Sequence, residues 1–364
     1  MRSAAWIDHL LWGHGGAVRA FACDVCGGVL FFDNSICLKC GTGQVFDPDV
    51  GRLVRRPEGA DAAAAHSCAN ADLIGCNWAA SPGELWCDSC RMTRTRPSDT
   101  DGQAVEAWAK AEAAKRYLLF QLADLGLRYP IRADGAPGGL AFDLLSSSES
   151  PVTTGHEDGI VTIDMAEGID SHRERVRAEL AEPYRTLLGH FRHEVGHFFE
   201  WFLVERVGRA HEIRPLFGDE RESYADALDR HYRMGPPAGW EQRYVSAYAT
   251  MHPYEDFAET FAHYLHIRDT VQTASAFGLW VGGPDLPEIS AELSALPNEN
   301  VRTFDDLLRS WVPLTLALNA INRSMGLGDL YPFVIAPAVA EKLSVVDSII
   351  RRAAVQREFT RPRS

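Results

Sequence analysis

An α+β fold is what this sequence predicts, from three observations. All eight cysteines fall within residues 23–90, beside short strand-like runs. Two further stretches, 140–145 and 160–166, read as strands, and most of the chain from 104 to 355 repeats its apolar residues at helical spacing. A small β-rich region organised by cysteines therefore precedes a mainly helical domain with a short sheet. The length, 364 residues, suits two or three domains rather than one small module.

The composition, 46% hydrophobic and 24% charged, is that of a soluble globular chain. A net charge of -14 argues against nucleic acid as a partner, because a surface that tracks phosphates needs clustered Lys and Arg. The basic clusters at 91–96 and 351–363 read instead as a solvated face and a basic tail, 356–364. No apolar run approaches the ~20 residues that a membrane span requires. Asp8, His9 and His14 interrupt the first residues, so no secretion signal is expected and the location is expected to be cytoplasmic. Residues 1–17 read as an extension, either flexible or the product of a start codon assigned too early.

The first four cysteines, Cys23, Cys26, Cys37 and Cys40, stand in "CDVCGG" and "CLKCG". A C-x2-C pair lets two thiolates reach one ion, and the glycine behind it permits the tight backbone turn. Two such knuckles predict a zinc ribbon, with "GGVLFFDN" as the first strand of a hairpin between them. Cys68, Cys76, Cys87 and Cys90 are less regular, but "CDSC" is again a knuckle. A second four-cysteine zinc site is expected, with His66 as a possible substitute ligand. In a reducing compartment disulfides are rare, which favours metal for both sets. The region 18–100 is thus expected to be a double zinc ribbon, whose two closed sites are structural and replace a core that so small a domain cannot build.

Beyond the polar linker near 98–103, residues 104–127 read as a helix that ends near Gly126. The strands at 140–145 and 160–166 follow, then a charged helix at 171–182. Pro183 suits the first position of the next helix, 183 to about 206. The remainder is mainly helical to about 355, broken at 234–240, 282–287 and 295–300. This domain, 104–355, carries the residues that point to chemistry.

His193-Glu194-Val195-Gly196-His197 is an H-E-x-x-H. On a helix, positions i and i+4 lie one above the other, so both imidazoles reach a single ion. Glu194 lies about 100° round the helix, beside the ion but off its ligands. An ion there lowers the pKa of a water towards ~7, and Glu194 is placed to take the proton as general base. Phe191, Phe198, Phe199, Trp201 and Phe202 make the helix apolar nearly all round, so it should be buried. A charged Glu194 buried between histidines is costly unless paired or linked to a metal. His190 is assigned to packing or to contact with residues around the ion.

A water-activating zinc needs three protein ligands and one open position. Two helical segments offer a carboxylate: Glu222 with Asp226, and Glu255 with Glu259, each pair spaced i,i+4. In either pair the first would bind zinc and the second would orient a ligand histidine. Tyr248, Glu255 and then "FAETF" resemble the zincin domain of anthrax lethal factor and its relatives. That resemblance implies Glu255 as third ligand, Glu259 as the carboxylate behind a ligand histidine, and Tyr248 as the hydroxyl that stabilises an oxyanion. Glu259 is the next alternative as ligand. More widely, "CDVCGGVLFFDN", "CLKC", "GCNW", "CDSCRMTRTRP", "LLGHFRHEVGH", "FGDER" and "HPYEDFAETFAHYLH" resemble a bacterial family of zinc-binding metallopeptidases with an N-terminal zinc-ribbon region. The similarity runs from about Val18 to beyond 329–337.

The resemblance and the motif together predict a zincin-like metallopeptidase domain. The chain is expected to be a gluzincin-type hydrolase with one catalytic and two structural Zn2+ ions, acting on a peptide or protein. In zincins of this type an edge strand pairs with an extended substrate, and 160–166 is the candidate. His231, His252, His263 and His266 are expected to be packed or surface residues, with His263 able to line the cleft. The alternative is a non-catalytic module that binds or regulates a partner protein through its ribbon, on a zincin scaffold.

Overall fold

The structure, a computed structural model of the chain, describes residues 20–57, 66–147, 152–168, 186–281 and 303–355. The extension 1–17, the charged helix at 171–182, Pro183, the breaks at 282–287 and 295–300 and the tail 356–364 lie outside the described residues. The chain divides into two compact units, 1–175 and 176–364. That division falls beyond the polar linker near 98–103 expected from sequence.

In the first unit, strands β1 (Ala20–Ala22) and β2 (Val29–Phe31) pair antiparallel, Ala22 opposite Val29. The first cysteine knuckle is itself the turn between them: Cys23 N–H donates to the Gly28 carbonyl, and Gly27 N–H to that of Cys23, both at 2.8 Å. Gly27 sits at φ +67°, a conformation that a side chain would resist. This corrects the expected hairpin, since "GGVLFFDN" supplies a second strand and not a first. After it the chain turns at Asn34, whose Oδ1 accepts from Phe31 N–H at 2.8 Å, and the second knuckle follows.

Strands β3 (Gln44–Asp47) and β4 (Arg52–Arg55) form another hairpin, and β5 (His66–Ser67) pairs with β6 (Ala79–Ala80). Two single-turn helices, α1 (Ala71–Ile74) and α2 (Asp88–Arg91), carry the spacing between the later cysteines. A long helix, α3 (Gly102–Asp124), starts where Asp101 accepts from Ala104 N–H at 3.1 Å and ends before Gly126. Its Phe120 meets Phe32 at 4.6 Å and Phe46 at 5.5 Å, and Trp78 closes the cluster on Phe46 at 5.4 Å. The core of the cysteine-rich region is therefore completed by α3.

One four-stranded sheet also joins the two stretches. It runs β7 (Thr93–Thr95), β8 (Ala141–Leu145), β10 (Ile160–Asp164), β9 (Gly155–Glu157), with the first three parallel and β9 antiparallel to β10. The expectation that 160–166 offers a free edge is corrected here. Ile160 to Thr162 are covered by β9, and the strand ends at Asp164, whose carboxylate accepts from the Ser147 and Ala166 N–H groups.

The second unit is helical in its described residues. Helix α4 (Leu187–Glu200) is capped by Thr186 and continues as a π-helical turn, Trp201–Glu205, that lays Phe202 flat on Phe198 at 5.5 Å. Helices α5 (Ala210–Phe217), α6 (Tyr224–Met234), α7 (Pro253–Ala276), α8 (Phe304–Ser324) and α9 (Pro337–Val355) follow. Helix α4 packs against α7 through Phe199 and Phe261, stacked at 5.4 Å. No helix among the described residues is long and apolar enough to cross a membrane.

Candidate metal centres

Three groups of side chains converge as a metal would require. In the first unit Cys23, Cys26, Cys37 and Cys40 form one set, and Cys68, Cys76, Cys87 and Cys90 another. His66 is not among the second set. The sulfur separations are 3.9 Å for Cys23–Cys40, 3.6 Å for Cys26–Cys37, 3.7 Å for Cys76–Cys87 and 3.8 Å for Cys90–Cys76. Sulfurs held at about 2.3 Å round a tetrahedral zinc stand about 3.8 Å apart. A disulfide would need about 2.0 Å, and no cysteine is bridged. Both sets fit zinc. The second is buried at every position, and the buried Arg116 guanidinium of α3 lies in the field of Cys76, Cys87 and Cys90, where it offsets their charge.

The third group lies in the second unit and comes from two helices. His193 and His197 project from one face of α4, rings 4.9 Å apart, and Glu255 enters from the first turn of α7. Proline at the start of α7 and His252 as its cap fix where that turn begins: His252 Nδ1 accepts from Tyr254 N–H at 3.2 Å. Glu255 Oε2 stands 3.0 Å from His193 Nε2 and 3.5 Å from His197 Nε2. Donors at about 2.0–2.1 Å round a tetrahedral zinc would be about 3.3 Å apart.

The protons are arranged to leave these donors open. Glu259 Oε1 accepts from His193 Nδ1 at 2.7 Å, and Ser246 Oγ donates to Glu259 Oε2 at 2.6 Å. With its proton on Nδ1, His193 turns an Nε2 lone pair towards Glu255. Glu255 Oε2 is buried and without a well-aligned hydrogen-bond partner among the described residues, so its 3.0 Å approach to Nε2 leaves a pair of atoms for a proton or a metal ion to bridge. Lone pairs that face one another in a buried site are stabilised by a cation between them. The local field favours positive charge at this point, whether a proton on Nε2 or a metal ion in its place. Burial opposes charge on His193, yet Glu255 and Glu259 together hold its protonated form well above the usual imidazole range. Burial also pushes Glu259 up, but the His193 hydrogen bond and charge outweigh it and hold that carboxyl at about 2.

Glu194 points elsewhere on the helix. Its Oε1 accepts from His190 Nε2 at 3.0 Å, while its Oε2 is buried and has no hydrogen-bond partner among the described residues. Burial works against its charge, but the His190 hydrogen bond and the neighbouring imidazoles keep it below the usual carboxylate range. The Tyr248 ring lies 6.0 Å from that of His193, and burial keeps its hydroxyl protonated. Glu222 and Asp226 are exposed and take no part in the group. Glu259 faces His193 Nδ1, away from the converging donors. His231 is half-buried beside Tyr248, and His252 caps α7. His263 is buried, with Nδ1 2.7 Å from the Tyr331 hydroxyl, and His266 packs near Trp311 and Tyr331.

Sequence reasoning missed two residues. Tyr224 donates its hydroxyl to Glu255 Oε1 at 2.8 Å, and Ser246 holds Glu259. Tyr224 stands between Glu222 and Asp226, the pair weighed as ligands, and only its place at the first turn of a Ser223-capped helix hinted at it.

Gly196 sets the distance between the two helices. A Cβ there would come within 2.9 Å of Ala258 Cα and 3.1 Å of its carbonyl oxygen. Gly196→Ala gains up to about 1 kcal/mol of helix propensity, while overpacking costs about 1–3 kcal/mol. Because backbone must move, α4 and α7 are expected to separate and the His193–Glu255 distance to grow. Competition with a chromogenic chelator should show weaker metal binding at this group than in the wild type. Unchanged affinity would mean that the helix pair absorbs the methyl without opening the site.

Comparison with known proteins agrees with this inventory. Residues 104–349 match a family described as "Putative zinc-binding metallo-peptidase", and residues 20–101 match a zinc-ribbon domain. An uncharacterized protein of Mycobacterium tuberculosis (strain H37Rv) is 46% identical over 343 residues, covering 93% of this chain and 96% of the relative. One from Mycobacterium bovis matches to the same extent, 46% over 343 residues. No solved structure gives a significant match.

Proposed function

The chain belongs to this zinc-binding metallopeptidase family, and from that premise we propose that it is a zinc-dependent peptide hydrolase of the gluzincin type, with His193, His197 and Glu255 as ligands. The observation that carries the proposal is the convergence of one carboxylate oxygen and two imidazole nitrogens, with Glu194 beside them and not among them. Two further zinc ions at the cysteine sets would be structural. A peptide or protein is the substrate class, and the cytoplasm the expected setting.

Zinc bound by these three ligands would supply Lewis acidity, making a water nucleophilic near neutral pH and polarising the scissile carbonyl. Glu194 Oε2, unpartnered and ionised, takes a proton from the attacking water as the oxygen–carbon bond forms. His190 holds Oε1 and so aims the free oxygen. When the carbon–nitrogen bond breaks, Glu194 returns the proton to the leaving amine. Glu259, fixed by Ser246, keeps the His193 proton on Nδ1. Tyr248, held protonated, is the candidate donor to the oxyanion.

A second reading draws on the ribbon surface. Leu38 is 90% exposed and Val29 67%, with Val25 and Phe31 also exposed. Such side chains suit a partner protein, with the helical unit as scaffold.

Metal content per chain, measured by mass spectrometry, tests the proposal. The wild type should hold about three zinc ions, and His193→Ala and Glu255→Ala should each lose one, since each removes one of the three ligands of a catalytic site. Loss in His193→Ala but not in Glu255→Ala would exclude Glu255 as ligand. No loss in either folded variant would leave the cysteine sites alone and favour the binding-module reading.

A further inference from the structure

Tyr224 is the first residue of α6, placed there by the Ser223 cap, whose Oγ accepts from Asp226 N–H at 3.3 Å. The loop before it is tied to the start of α7. His252 Nε2 donates to the Glu222 carbonyl at 3.2 Å, and the Tyr224 ring packs on the His252 ring at 5.3 Å. The same histidine that caps α7 thus anchors the turn that delivers Tyr224. The hydroxyl then donates to Glu255 Oε1 at 2.8 Å.

The two oxygens of Glu255 are divided by this contact. Oε1 is committed to Tyr224, and Oε2 alone faces His193 Nε2 and His197 Nε2. A carboxylate free to swing can offer both oxygens to an ion, filling the coordination position that a substrate water needs. A hydroxyl on one oxygen opposes that rotation and lowers that oxygen's availability. Glu259 and Ser246 act on His193; the only hydrogen bond to Glu255 from a side chain outside the metal group comes from Tyr224 among the described residues.

We infer that Tyr224 is a positioning residue that restricts Glu255 to one-oxygen coordination and keeps a position open at the metal. The inference rests on the proposed ligand set His193, His197 and Glu255. It brings a group from a third α-helix, α6, to the site, acting through Glu255 and not on substrate.

The test uses the full chain with zinc retained at the cysteine sets and Co2+ loaded at the histidine group. His193→Ala defines which part of the visible absorption belongs to that group. In Tyr224→Phe, the His193-dependent bands should lose intensity and shift, as a second carboxylate oxygen raises the coordination number. Zinc affinity at the group should fall by ~10–100-fold, the usual consequence of losing a partner behind a ligand. Tyr254→Phe, whose lost hydroxyl donates to Glu205 Oε1 and not to Glu255, should keep the wild-type spectrum. A wild-type spectrum with no His193-dependent band would overturn the ligand set and this inference with it. A His193-dependent band that is the same in Tyr224→Phe, or changed equally in Tyr254→Phe, would overturn the inference alone.

Discussion

Glu194→Gln is expected to lower peptide hydrolysis by about 10²–10⁴-fold while the metal content stays at the wild-type level, since general-base contributions fall in that range. The substitution keeps shape and volume. The carboxamide can still accept from His190, which in the wild type donates to Glu194 Oε1 at 3.0 Å. It removes only the ability to take a proton at the oxygen that has no partner. The burial that makes an ionised Glu194 costly is tolerated because His190, His193 and His197 surround it. An amide loses those attractions along with the burial cost, and since the attractions outweigh the cost the variant should be somewhat less stable than the wild type but remain folded. Turnover of a quenched-fluorescence peptide mixture, with zinc measured on the same samples, reads both quantities. Lost activity with lost metal would make Glu194 a ligand. Wild-type activity in the variant would remove it from the proton path.

That prediction rests on a site that was only partly legible in the sequence, and the division has a physical reason. His193 and His197 are readable because the 3.6-residue repeat is local: residues four apart on a helix share a face. The knuckles at Cys23/Cys26 and Cys37/Cys40 are equally local, each a turn closed within a few residues by a glycine at positive φ. The strand order was not. Residues 27–34 alternate like any strand, and nothing in them says that the partner lies before the knuckle. For 160–166 the alternation gives a half-buried strand but not its neighbours, and β9 takes the flank expected to be open. Choosing Glu255 over Glu222 needed the resemblance. Both are carboxylates with a second one turn later, and only the packing of α7 on α4 at Gly196 brings one of them to the histidines. Tyr224 and Ser246 were invisible for the same reason, since each acts through a contact between elements far apart in sequence.

Lys342→Met is expected to destabilise the helical unit by about 1–2 kcal/mol at pH 8, because each pH unit above the folded pKa of Asp256 adds about 1.4 kcal/mol to the cost of stranding its carboxylate. Lys342 Nζ donates to Asp256 Oδ2 at 2.6 Å and to the Arg243 carbonyl at 2.8 Å, and both side chains are almost wholly buried. Asp256 neighbours Glu255 in the first turn of α7, so this pair helps to fix the turn that delivers the third ligand. Methionine preserves the apolar stem of the lysine and removes the ammonium, together with its cation–π contacts to the Tyr244 ring at 4.1 Å and the Phe217 ring at 5.7 Å. The loss should depend on pH. Burial pushes the Asp256 carboxyl from 3.8 up to about 7, even with the lysine alongside to lower it. An acid raised in the folded state binds its proton there more tightly than in the unfolded chain, so its effect on stability worsens as pH rises. Without Lys342 the carboxyl rises further. The difference between variant and wild type should therefore be small near pH 5, where Asp256 is neutral, and grow through pH 7. Asp256→Asn added to Lys342→Met should recover most of the loss and flatten the pH dependence, because no stranded charge remains. Hydrogen exchange of the α7 amides at several pH values measures this in the helical unit by itself. A loss that is equal at pH 5 and pH 8 would mean that packing of the lysine stem, and not the stranded carboxylate, sets the cost.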